Sequence, residues 1–158
     1  MLLTRAELTR FAETSLHADV MSFVAALGAR KDPRLSVASF GASPQGRELP
    51  VLVLSAHGAF TPEAARARGL PVVLMLDGIH PGEVEGKEAS LALVRDVLDG
   101  RCPTVADALE HLVLVVVPLF NPDGNDALDP ANRRLELKKL TGQPGPVVGT
   151  RTQSHGIN

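Results

Sequence analysis

The hydrophobic positions at the start of the chain repeat with the period of a helix. Apolar residues recur every three or four positions over residues 4–29, which predicts one amphipathic helix with a single buried face. Thr4 and Glu7 have the spacing of a capping box, and Gly28 is a typical helix stop. We therefore expect one continuous helix in this region.

The following hydrophobic segments are short and predict strands. Residues 36–40 and 50–54 flank a turn with a Pro-Gln-Gly sequence, which predicts a β-hairpin. The segments 71–76 and 112–119 are apolar without alternation, as is typical of strands that are covered on both faces. A helix predicted over residues 85–98 lies between them. Strand, helix and strand in this order predict a parallel pair joined by a right-handed crossover.

Together these elements predict an α/β fold with a mixed, mostly parallel sheet flanked by helices. One more short helix is expected over residues 105–111. From Asn121 onward the chain is polar, punctuated by Gly and Pro, and weakly periodic, and so long a loop-like end is unusual in a finished domain. We expect residues 1–158 to be the N-terminal part of a single domain that is truncated at its C-terminus.

The composition narrows the classes of function. The 158 residues are 44% apolar and 22% charged, as is usual for a globular protein. A formal net charge of −2 and an aromatic content of 3% provide neither a basic surface nor base-stacking side chains, so we expect no nucleic-acid partner. No apolar run is long enough to span a membrane, and the N-terminus lacks a signal-peptide pattern. These features predict a cytoplasmic protein without a membrane partner.

The candidate chemistry lies at His80-Pro81-Gly82-Glu83. The single cysteine, Cys102, excludes a multi-cysteine zinc cluster, so a metal would need His and carboxylate ligands. The segment follows a predicted strand and precedes a predicted helix, and ligands of open α/β sheets bind at the carboxyl ends of strands. If Gly82 lets the backbone turn, His80 and Glu83 can converge on one zinc ion. The spacing alone is a weak signal, because Glu83 would also be favourable beside a helix N-terminus.

A wider set of segments resembles the zinc carboxypeptidases, the carboxypeptidase A-like metallopeptidases. Residues 72–90, which contain His80 and Glu83, resemble the first zinc-ligand segment of that family. Residues 121–124, with the sequence Asn-Pro-Asp-Gly, resemble its second landmark, and residues 149–158 resemble its third. The landmarks occur in the order of the family, and the resemblance covers nearly the whole chain. It implies a partial zinc-carboxypeptidase-like fold.

The resemblance also implies roles for individual residues. His80 and Glu83 match two of the three zinc ligands, and Arg151 matches the arginine that polarises the scissile carbonyl and stabilises the oxyanion. Asn158 stands where many relatives have an aspartate that orients the first zinc-binding histidine, and its amide oxygen can accept the same imidazole N–H without a full charge. The third zinc ligand and the general base of the family lie beyond Asn158. We therefore expect the 158-residue chain alone to be inactive.

The activity implied by the resemblance is that of a zinc-dependent metallocarboxypeptidase-like hydrolase. Its substrate would be a peptide or an acylated amino acid with a free carboxylate. Two alternatives stay open. The first is an N-acyl amino acid deacylase, similar to the desuccinylases and aspartoacylases, although these usually carry His-Gly-Asn-Glu. The second is a non-catalytic binding module.

The other titratable residues are expected to have structural roles. Asp77, near the end of a predicted strand, is a candidate hydrogen-bond acceptor. Asp123 and Asp126 are expected to form turns rather than bind a metal, because Asx side chains commonly close such turns. Three histidines are expected to be structural or loop residues: His17, His57 and His111.

Overall fold

The computed structural model describes residues 1–128 and contains helices and strands in mixed order. In chain order these elements are α1 (Arg5–Leu8), α2 (His17–Gly28), β1 (Leu35–Ala42), β2 (Glu48–Leu54), α3 (Pro62–Ala67), β3 (Val72–Leu76), α4 (Glu85–Leu98), α5 (Pro103–Ala108), β4 (Val113–Val117) and α6 (Pro122–Asp126). The predicted α/β class is confirmed.

The four strands form one mixed sheet with the order β1-β2-β4-β3. β1 and β2 form the predicted antiparallel hairpin, and β3 and β4 form the predicted parallel pair. β2 and β4 are antiparallel, however, so two of the three pairings are antiparallel and the expectation of a mostly parallel sheet was wrong. The hydrophobic pattern identifies strands, but it does not specify that the hairpin lies directly beside β4.

The helix predicted over residues 4–29 is interrupted, so this prediction was wrong. α1 ends at Leu8, and α2 begins at His17. The helix breaks at Arg10 and Phe11, whose φ angles of +55° and +65° are left-handed. Further along the connecting segment, the Glu88 carboxylate on α4 accepts a hydrogen bond from the backbone N–H of Ser15. Glu88 lies 73 residues further along the chain, so a local period could not reveal this partner.

The ends of the helices follow from local capping signals. The capping box is present, because the Thr4 N–H donates to Glu7 and the Thr4 hydroxyl accepts from the Glu7 N–H. α3 was not predicted, although the Thr61 hydroxyl caps it and Pro62 occupies its first turn. The short α6 replaces the predicted turn after Asn121 for the same two reasons, a side-chain cap and a proline at the start.

The main core lies between the sheet and the helices α2 and α4. α3 covers the opposite face of the sheet, where Ala65 packs near Val113. β4 is buried along almost its whole length, as the apolar run predicts. The buried apolar side chains of the main core come from α2 (Val20, Phe23, Val24, Leu27), from α4 (Leu91, Val94, Val97) and from β2 and β4 (Leu52, Leu54, Leu114, Val116).

β3 is the outer strand of the described sheet. Val72 and Leu74 are 53% and 59% exposed, so the expectation that both faces of this strand are covered is not met within residues 1–128. Of the strands in that range, β3 pairs with β4 alone. None of the helices formed by these residues has the length and apolar character needed to cross a membrane.

Candidate metal site

The ends of β3 and β4 meet at one edge of the sheet, because these two strands are parallel. Three backbone hydrogen bonds of 2.9 Å extend their pairing beyond the strands. The N–H of Asp77 donates to the carbonyl of Val117, and the carbonyl of Asp77 accepts from the N–H of Phe120. The N–H of Asn121 donates to the carbonyl of Gly78. The segment that carries His80 and the Asn-Pro-Asp-Gly segment therefore lie side by side, as expected for ligand sites of α/β sheets.

Gly78 allows this close approach of the two strand ends. Its φ of +62° is in the left-handed region, where a residue with a Cβ is strained. A Cβ at this position would lie 2.7 Å from Cδ1 of Leu119 and 3.1 Å from its Cα. The chain has no room for a larger residue two positions before His80.

The turn between β3 and α4 carries the predicted ligand pair. Gly82 has a φ of +82°, which confirms that this glycine provides the bend between the two residues. The N–H of Glu83 donates to the carbonyl of His80 at 3.3 Å. His80 is half-buried, whereas Glu83 is exposed at the mouth of the turn. The backbone therefore places both residues at the same sheet edge.

The His80 imidazole has a free nitrogen that suits a metal ion. Its Nδ1 is buried and has no hydrogen-bond partner among the described residues. A buried nitrogen without a partner is unfavourable, and an imidazole nitrogen is a common ligand of zinc. The donor types of His80 and Glu83 thus fit a zinc ion, although residues 1–128 contain no group of three or more His, Cys, Asp or Glu that could hold one.

Asn121 fixes the peptide that precedes His80. Its side chain is 1% exposed, and its Nδ2 donates to the carbonyl of Ile79 at 3.1 Å. Its Oδ1 accepts the N–H of Gly124 at 2.9 Å and so caps α6. The sequence suggested a landmark at this asparagine, but it did not reveal the contact with the peptide before His80.

Asp123 connects this edge to the β1–β2 hairpin. It is 1% exposed and accepts hydrogen bonds from the Ser43 hydroxyl at 2.7 Å, the Gln45 N–H at 3.1 Å and the Arg47 guanidinium at 2.7 Å. Burial acts to raise the pKa of Asp123, but the hydrogen bonds from Ser43 and Arg47 outweigh it and hold the pKa below its ordinary value. Asp123 thus has a structural role, but not the expected one of closing its own turn, because its partners lie in the β1–β2 hairpin.

Two charged residues of α4 anchor the start of this helix. Lys87 is fully buried, and its Nζ donates to Oδ1 of Asn125 in α6. Burial lowers the pKa of the Lys87 amine, and nearby carboxylates, including that of Asp126, oppose the shift. Glu88 accepts from the segment before α2, as described above. Sequence reasoning missed Lys87, because a lysine in an amphipathic helix is ordinarily exposed.

The three histidines that were expected to be structural or loop residues, His17, His57 and His111, do not lie beside His80. The ring of His17 lies 2.8 Å from the carbonyl of Glu48. His57 follows β2, and His111 precedes β4; β2 is antiparallel to β4, so both lie at the sheet end opposite His80. The ring of His57 lies 3.1 Å from the carbonyl of Glu110.

Arg151 and Asn158 lie outside the described residues. Their roles, and those of His80 and Glu83 as zinc ligands, stay predictions.

Comparison of the sequence with known proteins gives a consistent result. A family model described as zinc carboxypeptidase matches residues 20–146. The probable carboxypeptidase 2 of Trichophyton verrucosum (strain HKI 0517) is 35% identical over 82 residues, which are 52% of this chain and 15% of that protein.

Solved structures share the fold. Carboxypeptidase A from Helicoverpa armigera aligns with a TM-score of 0.60 and 22% identity, over 72% of this chain and 26% of that one. Bovine thrombin-activatable fibrinolysis inhibitor, in complex with tick carboxypeptidase inhibitor, aligns with a TM-score of 0.56 and 20% identity, over 88% of this chain and 42% of that one. The chain thus spans less than half the length of each of these relatives.

Proposed function

Because the chain belongs to the zinc carboxypeptidase family, we propose that residues 1–158 are the N-terminal part of the catalytic domain of a zinc-dependent metallocarboxypeptidase-like hydrolase. The observation that carries the proposal is Nδ1 of His80, between β3 and α4, which is buried and has no hydrogen-bond partner within residues 1–128. Glu83 follows three residues later, across a glycine turn. The substrate would be a peptide or an acylated amino acid with a free carboxylate.

His80 and Glu83 would hold the zinc ion. When bound, zinc polarises a carbonyl oxygen and lowers the pKa of a water molecule. Gly78 and Asn121 would keep the backbone before His80 in place. Arg151 would stabilise negative charge on the scissile oxygen, since a guanidinium stays charged.

Asn158, a third zinc ligand and a general base would complete the proposed site. Asn158 would accept the imidazole N–H of the first zinc-binding histidine and so orient the ring. The third ligand and the general base are proposed to come from a longer polypeptide, as the resemblance implies.

The two alternative functions have less support. The matching family model is described as zinc carboxypeptidase, and the relative from Trichophyton verrucosum is named a probable carboxypeptidase. The motif is His-Pro-Gly-Glu rather than the His-Gly-Asn-Glu usual in the deacylases. Parallel assays of a full-length protein on peptides and on N-acyl amino acids would separate these two hydrolases. A non-catalytic module would bind such ligands without turnover.

We expect His80→Ala and Glu83→Gln each to weaken zinc binding at least about tenfold, because removal of one of two ligands leaves a single contact. Zinc titration followed by NMR of ¹⁵N-labelled histidines measures the affinity and identifies the ring that binds. His57→Ala is the matched control, since His57 lies at the opposite end of the sheet. Equal zinc affinity in the His80 and control variants would contradict the proposed ligand.

We expect the 158-residue chain to show no peptide hydrolysis, because it lacks the proposed third ligand and general base. A protein encoded by the complete reading frame is expected to release C-terminal residues from peptides, and to lose that activity with His80→Ala or Glu83→Gln. Release of the terminal residue is followed by mass spectrometry. Robust hydrolysis by the 158-residue chain, purified free of other proteases, would refute the expected division of the site.

A further inference from the structure

Two buried side-chain atoms lack a hydrogen-bond partner within residues 1–128, and they belong to residues only three positions apart. One is Nδ1 of His80, and the other is Oδ2 of Asp77, which directly follows β3. A bound zinc ion would satisfy the histidine nitrogen. The proposed function gives Asp77 no role, so its buried carboxyl needs a separate explanation.

The Asp77 carboxyl lies against the first turns of α4. A Cβ on Gly86 would come within 2.7 Å of Oδ1 of Asp77 and within 3.1 Å of its Cβ and Cγ. The side chain of Ser90, one helical turn later, lies near the same carboxyl and acts to lower its pKa. The carboxyl thus occupies the gap between the end of β3 and the start of α4, and a glycine in the helix makes room for it.

The two proposed ligands lie on either side of this contact. His80 follows β3, whereas Glu83 lies two residues before the start of α4. The Asp77 backbone is fixed on the β3 side, because its N–H and its carbonyl both form hydrogen bonds with the segment around β4. The position of its side chain therefore determines how closely the start of α4 approaches the strand end.

We propose that Asp77 is a positioning residue whose carboxyl sets the spacing between His80 and Glu83 by packing between β3 and α4. The inference rests on the proposed zinc site. Burial raises the pKa of Asp77 above its ordinary range, and the nearby Ser90 side chain opposes this shift in part. The packing thus favours a neutral carboxyl, which fits against a helix more easily than a desolvated charge.

Zinc titration of the 158-residue chain tests the inference, with the Nδ1 signal of His80 as the readout. Asp77→Ala is expected to weaken zinc binding about 10- to 100-fold, the range found when a residue that orients metal ligands is removed. Asp77→Asn keeps the shape of the side chain and is expected to bind zinc like the parent. A purely electrostatic role would instead make the two variants alike.

Gly86→Ala approaches the same contact from the helix. The added methyl group meets Asp77, so zinc binding is expected to weaken, although alanine favours a helix more than glycine does. Weaker zinc binding by Gly86→Ala therefore cannot be explained by loss of helix. If Asp77→Ala does not fold, Gly86→Ala tests the positioning role of Asp77 in its place. Val94→Ala is the control. Val94 is a core residue of α4, and its truncation is expected to lower stability without changing the contact between Asp77 and Gly86. It is expected to leave the zinc affinity of the folded protein unchanged.

The same variants are also compared without metal. Asp77→Ala is expected to shift the backbone amide signals of His80 and of residues 83–87, whereas Val94→Ala is not. If the parent chain binds no zinc at His80, the proposed zinc site is refuted. The amide shifts measured without metal then test the role of Asp77 by themselves. Unchanged amide signals at His80 and Glu83 in Asp77→Ala, or parental zinc affinity in both Asp77→Ala and Gly86→Ala, would overturn the inference.

Discussion

Substitution of Asp123 by alanine is expected to lower the free energy of unfolding by about 3–5 kcal/mol, the usual effect of removing one partner of a buried ion pair. The side chain of Asp123 is fully buried, and it accepts hydrogen bonds from Ser43, Gln45 and Arg47. Alanine removes the acceptor of the Ser43 hydroxyl and of the Gln45 N–H, whereas the Arg47 guanidinium keeps its contacts with the Gln45 side chain and Asp126. The hairpin would then lose its main polar connection to the segment after β4.

Thermal and urea unfolding measure this effect. For a chain of this size, the melting temperature is expected to fall by on the order of 10 °C. Asp107→Ala is the matched control, because Asp107 has the same side chain on an exposed surface of α5. Its effect is expected to stay within about 0.5 kcal/mol. Equal stability losses in the two variants would show that the buried hydrogen bonds contribute nothing specific.

The contribution of Asp123 also has a defined dependence on pH. The pKa of Asp123 in the folded protein lies below the ordinary value of 3.8, because hydrogen bonds from Ser43 and Arg47 outweigh the effect of burial. The stabilisation is therefore fully present above pH 3.8 and is lost as the pH falls through the lower, folded-state pKa. Urea unfolding of the parent chain and Asp123→Ala should accordingly converge at acidic pH. A difference that is constant through this range would exclude ionisation of Asp123 as the cause.

Gly78→Ala is expected to be the most damaging single methyl addition near the proposed site. The left-handed backbone conformation costs about 1–2 kcal/mol for a residue with a Cβ. The methyl group would also overlap Leu119, and the nearby Cα belongs to the backbone and cannot rotate away. Overpacking of this kind adds about 1–3 kcal/mol. The total loss of stability is about 2–5 kcal/mol by these two contributions.

Gly100→Ala separates strain from overlap. Gly100 has a φ of +73°, and a Cβ there would meet no atom within 4 Å. This control is therefore expected to lose only the conformational contribution, about 1–2 kcal/mol. Gly78→Ala should also change the amide signals of His80 and Asn121, because the two strand ends must separate. Similar unfolding curves for both variants would mean that the strand ends tolerate the extra methyl group.

Local sequence signals were sufficient for much of the fold and for the position of the candidate site. The capping box at Thr4, the hairpin, the parallel pair and the turn at Gly82 were all predicted and are present. Each depends on hydrophobic period, side-chain capping or turn chemistry within a few residues. The same signals placed His80 and Glu83 between a strand and a helix, where the structure has them.

The tertiary structure decided the features that depend on distant partners. The position of β2 beside β4 makes the sheet mostly antiparallel, and Glu88 binds the segment between α1 and α2 from 73 residues away. Asp123 bonds to Ser43 across 80 residues.

The sequence by itself determined the β1–β2 hairpin, the helix α4 and the glycine turn that carries His80 and Glu83, because those features are set by neighbours along the chain. Only the folded molecule brings Asp77 against Gly86, or buries Nδ1 of His80 where no other residue of the described range 1–128 forms a hydrogen bond with it. Such contacts arise from the packing of one element on another, and no local pattern of residues encodes that distance.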